Sequence, residues 1–131
     1  MRLHYIQHEA IVCPGTTLEW ARERGYSVGA TRIHEHQPFP ALAEFDLLVI
    51  PGGTMSVYEE KRFPWLKSEK DFVARSIESG KAVVGLCFGA QLLADVLGGQ
   101  VAPNSHKEIG WHEVRRSESA AQTSILSSLP E

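Results

Sequence analysis

Strand-like and helix-like segments alternate along most of the chain, and this alternation restricts the folds that the chain can adopt. Apolar or alternating runs predict four strands, at residues 2–7, 26–33, 46–53 and 81–87. Helical patterns with proline or glycine at an end predict helices at residues 14–25, 64–79 and 88–97. Such an order is typical of a mostly parallel sheet with helices on both faces. The third strand is apolar almost throughout, as expected of a strand buried on both faces.

The segments outside this alternation carry weaker signals. Residues 34–45 contain two prolines and predict a connection with a short helix. Residues 110–117, GWHEVRRS, predict a further strand after a polar loop. A chain of 131 residues is long enough to bury one core, so we expect a single domain spanning residues 1–131.

Composition excludes several classes of partner. The formal net charge is −3, and charges of both signs are interspersed, so there is no basic stripe for nucleic acid and no polybasic signal for a membrane. The two cysteines lie far apart in the sequence, and the N-terminus has no signal-peptide pattern. We therefore expect a cytoplasmic protein that acts on a small molecule.

Residues 85–91, GLCFGAQ, place a cysteine between two glycines where the fourth strand meets the next helix. A cysteine on such a turn is held in a strained conformation that lifts its sulfur clear of the backbone, and Gly85 and Gly89 allow strand and helix to approach closely. The N–H groups at a helix N-terminus also favour the thiolate form of Cys87. The motif therefore predicts a nucleophilic thiol on a tight turn, which we call the elbow.

A second motif ends the third strand. In open α/β sheets ligands bind at the carboxyl ends of the strands, and residues 51–53, PGG, lie at the same edge as the elbow. The backbone N–H groups of this loop, together with the N–H of Phe88, are placed to hold an oxyanion formed by attack on a carbonyl. We expect the two strand ends to share one site.

Each motif also has a purely structural explanation. A lone cysteine in an apolar strand usually packs, and PGG is usually only a turn; the two together at adjacent strand ends favour a catalytic site. Cys13, in a loop before a helix, has only the structural explanation. His34 and His36 would share one face of a strand, as metal ligands can, but without further ligands they indicate a solvated strand end. No metal or cofactor is predicted.

Four stretches carry a resemblance to a known family: DLLVIPGGTMSVYEE, FPWLKSEKDFV, GKAVVGLCFGAQLLADVLGGQV and KEIGWHEV. They resemble the class I glutamine amidotransferases, in particular the stand-alone branch that is similar to the glutaminase domain of GMP synthase. The resemblance runs from residue 2 to about the end of the chain. It implies a flavodoxin-like, three-layer α/β/α fold.

The resemblance also implies an enzyme and its reaction. The family hydrolyses the side-chain amide of glutamine through a γ-glutamyl thioester and releases ammonia for a synthetase partner or another acceptor. By motif position Cys87 would be the nucleophile, and the N–H groups of Gly53 and Phe88 would form the oxyanion hole. Gly52 would shape that loop, and Gln91 lies where the family contacts the bound glutamine.

The sequence departs from the family at the general base. A cysteine that attacks an amide needs a proton donor for the leaving ammonia, and the family uses a His-x-Glu on a later strand. His106-Lys107-Glu108 matches the letters but lies where the family has a middle loop, and His112 is interpreted as a strand residue. We therefore expect the chain to stop before the last strands of the family. An uncovered sheet edge would then favour a homo-oligomer, unless the chain is part of a longer one.

Two other functions remain open on the sequence alone. The absence of a matching His-x-Glu favours a non-catalytic module that binds glutamine or a protein partner. Another cysteine-elbow hydrolase of the same fold is the second alternative, although such relatives commonly place a histidine directly after the cysteine, where this chain has Phe88.

Overall fold

The computed structural model describes residues 1–113 and residue 115. In the order of the chain, its helices and strands are β1 (Arg2–Gln7), α1 (Thr16–Glu23), β2 (Ser27–Arg32), β3 (Leu47–Ile50), α2 (Trp65–Glu78), β4 (Ala82–Gly85) and α3 (Phe88–Val96). Two short 3₁₀ helices, Ile33–Glu35 and Leu42–Glu44, lie between β2 and β3. The strands and helices predicted between residues 2 and 97 are all present; β1 has the predicted bounds and the others have shorter ends.

The four strands form one parallel sheet in the order β2-β1-β3-β4. The predicted α/β fold with a mostly parallel sheet is therefore confirmed. Because the strands are parallel, β1, β3 and β4 all end at the same edge of the sheet. The loops that follow these three strands are brought together there.

The core has two parts, one on each face of the sheet. Successive residues of β3 point to opposite faces, and all four of its residues are buried. On one face Leu48 and Ile50 pack with buried residues of α2 and α3. On the other face Leu47 and Val49 pack with a smaller cluster that includes Ala21 of α1. The continuous apolar run of β3 follows from this burial on both faces.

The strand predicted at residues 110–117 is wrong for the part that the structure describes. Contacts divide the chain into two units, Met1–Val101 and Ala102–Glu131. In the second unit residues 110–113 form no strand, and the side chain of Trp111 is fully exposed. A strand needs a partner for its backbone groups, and these residues have none among the described residues. Residues 114, 116 and 117 lie outside the described part, and the single domain remains a prediction.

His34 and His36 were interpreted as a solvated strand end, and the structure corrects the strand placement. His34 lies in the 3₁₀ helix Ile33–Glu35, and His36 follows it with a left-handed backbone, φ 59°. His34 Nδ1 lies 3.1 Å from the carbonyl oxygen of Gln7. Among the described residues no group of three or more histidine, cysteine or carboxylate side chains could hold a metal ion.

An exposed ion pair joins the starts of β1 and β3. The guanidinium of Arg2 donates to Asp46 Oδ1 at 2.6 Å, and the backbone N–H of Arg2 donates to Oδ2 at 2.8 Å. These hydrogen bonds lower the pKa of Asp46 to about 2. An unfolded aspartate has a pKa of about 3.9, so the ionised carboxylate stabilises the fold fully above that pH and loses its effect as the pH falls to about 2.

We therefore expect Asp46→Asn to lower the melting temperature at pH 6 and to have a smaller effect at pH 2. Thermal unfolding followed by circular dichroism at both values measures this. Asp71→Asn removes an exposed carboxylate on α2, away from Asp46 in the sequence, and is the matched control. An equal loss at both pH values would contradict the assignment of the effect to the Asp46 charge.

Candidate active site

The chain reverses sharply between β4 and α3, and Cys87 occupies the turn. β4 ends at Gly85 and α3 begins at Phe88. Cys87 has φ 56° and ψ −113°, a conformation that costs a residue with a side chain about 1–3 kcal/mol. Within the described residues only His36 and Cys87 combine a side chain with a positive φ. The side chain of Cys87 is exposed.

The glycines on either side of Cys87 are required by close backbone contacts. A Cβ atom at Gly85 would overlap the carbonyl group of Gly89, and a Cβ atom at Gly89 would overlap the carbonyl group of Ile50. The backbone carbonyls cannot move aside as a side chain could. Only glycine at positions 85 and 89 therefore allows the turn and the start of α3 to approach β3 and β4 this closely.

The loop after β3 lies beside the turn at Cys87. The N–H of Leu86 donates to the Ile50 carbonyl at 2.9 Å, and the N–H of Gly89 donates to the Pro51 carbonyl at 3.1 Å. A Cβ atom at Gly52 would lie 3.6 Å from Cys87 Sγ. The two strand ends that the sequence singles out are thus in contact.

Two backbone N–H groups in the segments that meet at Cys87 have no acceptor among the described residues. Among the described residues the N–H groups of Gly53 and Phe88 donate to no backbone or side-chain acceptor. The N–H of Phe88 is one of the first N–H groups of α3, which have no partner within a helix. Such donors can stabilise negative charge that develops on a carbonyl oxygen.

Gln91 lies in the first turn of α3, with an exposed side chain. Its backbone N–H donates to the carbonyl of Cys87 at 3.2 Å, which places the residue one helical turn from the thiol. Its side-chain amide makes no hydrogen bond within the described residues.

Two residues at this edge were missed by the sequence analysis: His8 and Glu69. His8 Nε2 lies 2.8 Å from Glu69 Oε1, and both side chains are fully buried. His8 Nδ1 lies 3.1 Å from the carbonyl oxygen of Gly52. Within Met1–Val101 no histidine is hydrogen-bonded to Cys87, so His8 contacts the loop and not the thiol.

Both residues left a signal in the sequence. His8 directly follows β1, whose carboxyl end lies at the edge where ligands are expected. Glu69 falls on the buried face of α2, in step with Leu66, Val73 and Ser76. A carboxylate on the apolar face of a helix is rarely buried without a partner. A search for that partner could have led to His8.

The second unit contains His106 and Glu108, the residues that match His-x-Glu by letter. His106 Nδ1 lies 3.0 Å from the hydroxyl of Ser105, and Glu108 Oε1 accepts from the amide of Asn104 at 3.4 Å. Within the described residues the two side chains do not pair with each other. Both are exposed.

Both cysteines are exposed, but only Cys87 lies at a helix N-terminus. Because thiolate fraction and access control alkylation, we expect Cys87 to react faster than Cys13 at neutral pH. Peptide mapping after brief treatment with iodoacetamide gives the two rates. Equal labelling of the two cysteines would count against an activated thiol at the turn.

Comparison with known proteins gives the class of this fold and site. The family model for glutamine amidotransferase class-I matches residues 17–130. The chain is 31% identical over 130 residues to the glutamine amidotransferase-like protein YfeJ of Salmonella typhimurium, covering 96% of this chain and 54% of YfeJ. It is 41% identical over 83 residues to a GMP synthase of Thermomicrobium roseum, covering 63% of this chain and 14% of the synthase.

Solved structures agree with these sequence matches. The structure of SMU.1228c superposes with a TM-score of 0.90 at 33% identity and covers 99% of this chain and 57% of that chain. A glutamine amidotransferase from Methylobacillus flagellatus superposes with a TM-score of 0.78 at 29% identity and covers 84% of this chain and 44% of that chain. This chain matches YfeJ and both of these structures over most of its own length. It spans about half the length of each of them.

The chain belongs to the class I glutamine amidotransferase family, and the predicted resemblance is confirmed. Its flavodoxin-like α/β fold is the fold of these structural neighbours. Among the described residues, no helix has both the length and the apolar character needed to span a membrane.

Proposed function

We propose that this chain binds glutamine at Cys87 and carries the nucleophile of a glutaminase reaction. The observation that carries the proposal is the contact between the Cys87 turn and the Gly52–Gly53 loop. This contact brings a strained, exposed thiol beside two N–H groups without protein acceptors. The same arrangement would also serve a module that binds glutamine without hydrolysing it. Glutamine binding and ammonia release are therefore tested by separate experiments.

The proposed chemistry begins with attack of the Cys87 thiolate on the side-chain amide carbon of glutamine. The π electrons of the carbonyl move to its oxygen, and the N–H groups of Gly53 and Phe88 stabilise the resulting oxyanion. Collapse of this intermediate expels the amide nitrogen, which leaves as ammonia after taking a proton from a general acid. Water then hydrolyses the γ-glutamyl thioester to glutamate and regenerates the thiol. Gly52 shapes the loop, and Gln91 contacts the substrate.

The released ammonia requires an acceptor. Several relatives are named GMP synthase [glutamine-hydrolyzing], and in those relatives the matching segment covers 14–20% of the protein. We propose that a synthetase partner uses the ammonia once a general acid completes the site at Cys87.

Glutamine should protect Cys87 from iodoacetamide, and this experiment tests the proposed binding. L-Glutamine is expected to slow alkylation of Cys87 in a saturable way and to leave alkylation of Cys13 unchanged. D-Glutamine and L-asparagine serve as controls for handedness and length. Protection of neither cysteine, or equal protection by D-glutamine, would contradict a glutamine site at Cys87.

We expect the 131-residue chain to release little or no ammonia from glutamine in the steady state. The reason is that no histidine is hydrogen-bonded to Cys87 within Met1–Val101, so a proton donor for the leaving nitrogen is missing there. A coupled ammonia assay with wild type and His106→Ala measures this. Robust turnover that His106→Ala abolishes would assign the general base to His106-Lys107-Glu108 and overturn this prediction.

A further inference from the structure

The buried pair of His8 and Glu69 lies directly under the Gly52–Gly53 loop. Both side chains are fully buried, and the imidazole ring is enclosed by Trp65, stacked at 5.7 Å, and by Phe88, edge-on at 4.9 Å. Glu69 Oε2 has no hydrogen-bond partner among the described residues. An apolar pair of similar volume would usually stabilise a core equally well or better. This pair therefore calls for an explanation beyond stability.

The hydrogen bonds of His8 define where its protons lie. A carbonyl oxygen can only accept, so the contact with Gly52 requires a hydrogen on Nδ1. On the other side, Nε2 and Glu69 Oε1 at 2.8 Å must share one further proton. With this hydrogen on Nδ1, the imidazole donates to the Gly52 carbonyl in either arrangement of the proton shared with Glu69.

This donor controls the orientation of one peptide group. The described residues contain no cis peptide bonds, and in a trans peptide the C=O and the following N–H point in opposite directions. When His8 binds the carbonyl of Gly52, the N–H of Gly53 is therefore held on the side away from the imidazole. Two consecutive glycines would otherwise rotate with little steric cost.

A second contact anchors the same loop, again from a residue that follows β1. The carboxylate of Glu9 accepts hydrogen bonds from the backbone N–H and the hydroxyl of Thr54. The residues that follow β1 thus hold the loop both before and after Gly53. The peptide group that contains the Gly53 N–H and the peptide group after it are thus both held, while that N–H has no acceptor among the described residues.

We propose that His8, held by Glu69, is a positioning residue that sets the Gly52–Gly53 peptide so that the N–H of Gly53 can donate to an oxyanion at Cys87. The inference rests on the proposed function, because it assigns a purpose to one of the two oxyanion donors. His8 does not touch the substrate. It acts through the peptide group alone.

An aldehyde separates this role from general packing. Glutamate γ-semialdehyde, which equilibrates with its cyclic imine in water, is the aldehyde analogue of glutamine. The Cys87 sulfur adds to the carbonyl carbon of the open-chain form, and the carbonyl π electrons become an oxyanion that protonates to a thiohemiacetal. Iodoacetamide alkylates the same sulfur with loss of iodide and forms no oxyanion. The affinity for the aldehyde, measured by protection of Cys87 from iodoacetamide, therefore depends on Gly53, whereas the alkylation rate does not.

We expect the double variant His8→Phe/Glu69→Met to bind the aldehyde about tenfold to a hundredfold more weakly than wild type. Replacing both partners avoids leaving a buried carboxylate without a partner. Its alkylation rate at Cys87 should stay within about twofold of wild type, because access to the turn is unchanged. His4→Phe, at a buried histidine bonded to Thr31, is the matched control and should bind the aldehyde like wild type.

Glu69→Gln provides the conservative test. The glutamine amide can donate to Nε2 and so keep the hydrogen on Nδ1 of His8. We therefore expect this single variant to retain most of the aldehyde affinity that the double variant loses. A double variant that binds the aldehyde like wild type would overturn the inference. So would an equal loss in the aldehyde and iodoacetamide measurements, since that result indicates damage to the whole turn.

A nuclear magnetic resonance measurement keeps the inference testable without glutamine chemistry. The amide signal and the hydrogen-exchange rate of Gly53 should change in the double variant and remain unchanged in His4→Phe. If wild type fails to bind the aldehyde, the proposed function is wrong, while the Gly53 amide still decides the positioning role. An unchanged Gly53 amide in the double variant would contradict that role.

Discussion

Gly89→Ala is expected to destabilise the protein by about 3 kcal/mol, because the new methyl group overlaps a buried backbone carbonyl. The Cβ atom would fall inside the contact distance of the Ile50 carbonyl and lie 2.9 Å from Ile50 Cβ. Alanine favours a helix over glycine by about 1 kcal/mol, so the steric cost outweighs the gain in helix propensity. β3 is buried on both faces and cannot move away from α3.

Chemical denaturation of wild type and Gly89→Ala measures this loss as a shift of the transition midpoint. Gly80→Ala is the matched control: glycine 80 has φ 75° and open space around it, so the cost there is backbone strain alone, about 1 kcal/mol. A Gly89→Ala variant as stable as wild type would show that α3 can shift along β3. In that case the close approach would not fix the turn at Cys87.

Cys87→Ser is expected to slow covalent labelling by a diazo ketone analogue of glutamine on the order of a thousandfold or more. The sulfur displaces dinitrogen from the protonated reagent, and a serine hydroxyl at neutral pH is a far weaker nucleophile than a thiol. The backbone of the turn need not change, because serine replaces one atom. The rate of adduct formation by intact-mass measurement gives the effect.

Cys13→Ser is the control for this experiment. Cys13 is exposed in the loop before α1 and lies outside the turn that carries Cys87, so its loss should leave the labelling rate unchanged. If Cys13→Ser removed the label and Cys87→Ser did not, the reactive thiol would have been assigned to the wrong cysteine.

Much of the fold could be predicted because hydrophobic pattern and burial agree. The apolar run at Leu47–Ile50 predicts a central strand, and β3 is buried on both faces. Helix ends are less certain, as the first helix shows: residues 14–25 were predicted and Thr16–Glu23 are helical. The contact between Gly52 and Cys87 followed from a rule about parallel sheets, since both residues follow strands that end at one edge.

The errors have two physical causes: some features depend on residues far apart in the sequence, and one element is too short to leave a pattern. Residues 110–113 were predicted to belong to a strand but have no neighbouring strand among the described residues. His34 and His36 were placed on a strand because a 3₁₀ helix of three residues leaves little pattern. His8 and Glu69 are 61 residues apart, and only the tertiary fold makes them a pair.

The most direct test of the account is competition between L-glutamine and its diazo ketone analogue at Cys87, followed by peptide mapping. We predict one label per chain, placed on Cys87, and a labelling rate that falls with increasing L-glutamine but not with D-glutamine. Labelling spread over Cys13 and Cys87, or labelling of Cys87 at a rate that L-glutamine does not change, would contradict a glutamine site at this cysteine.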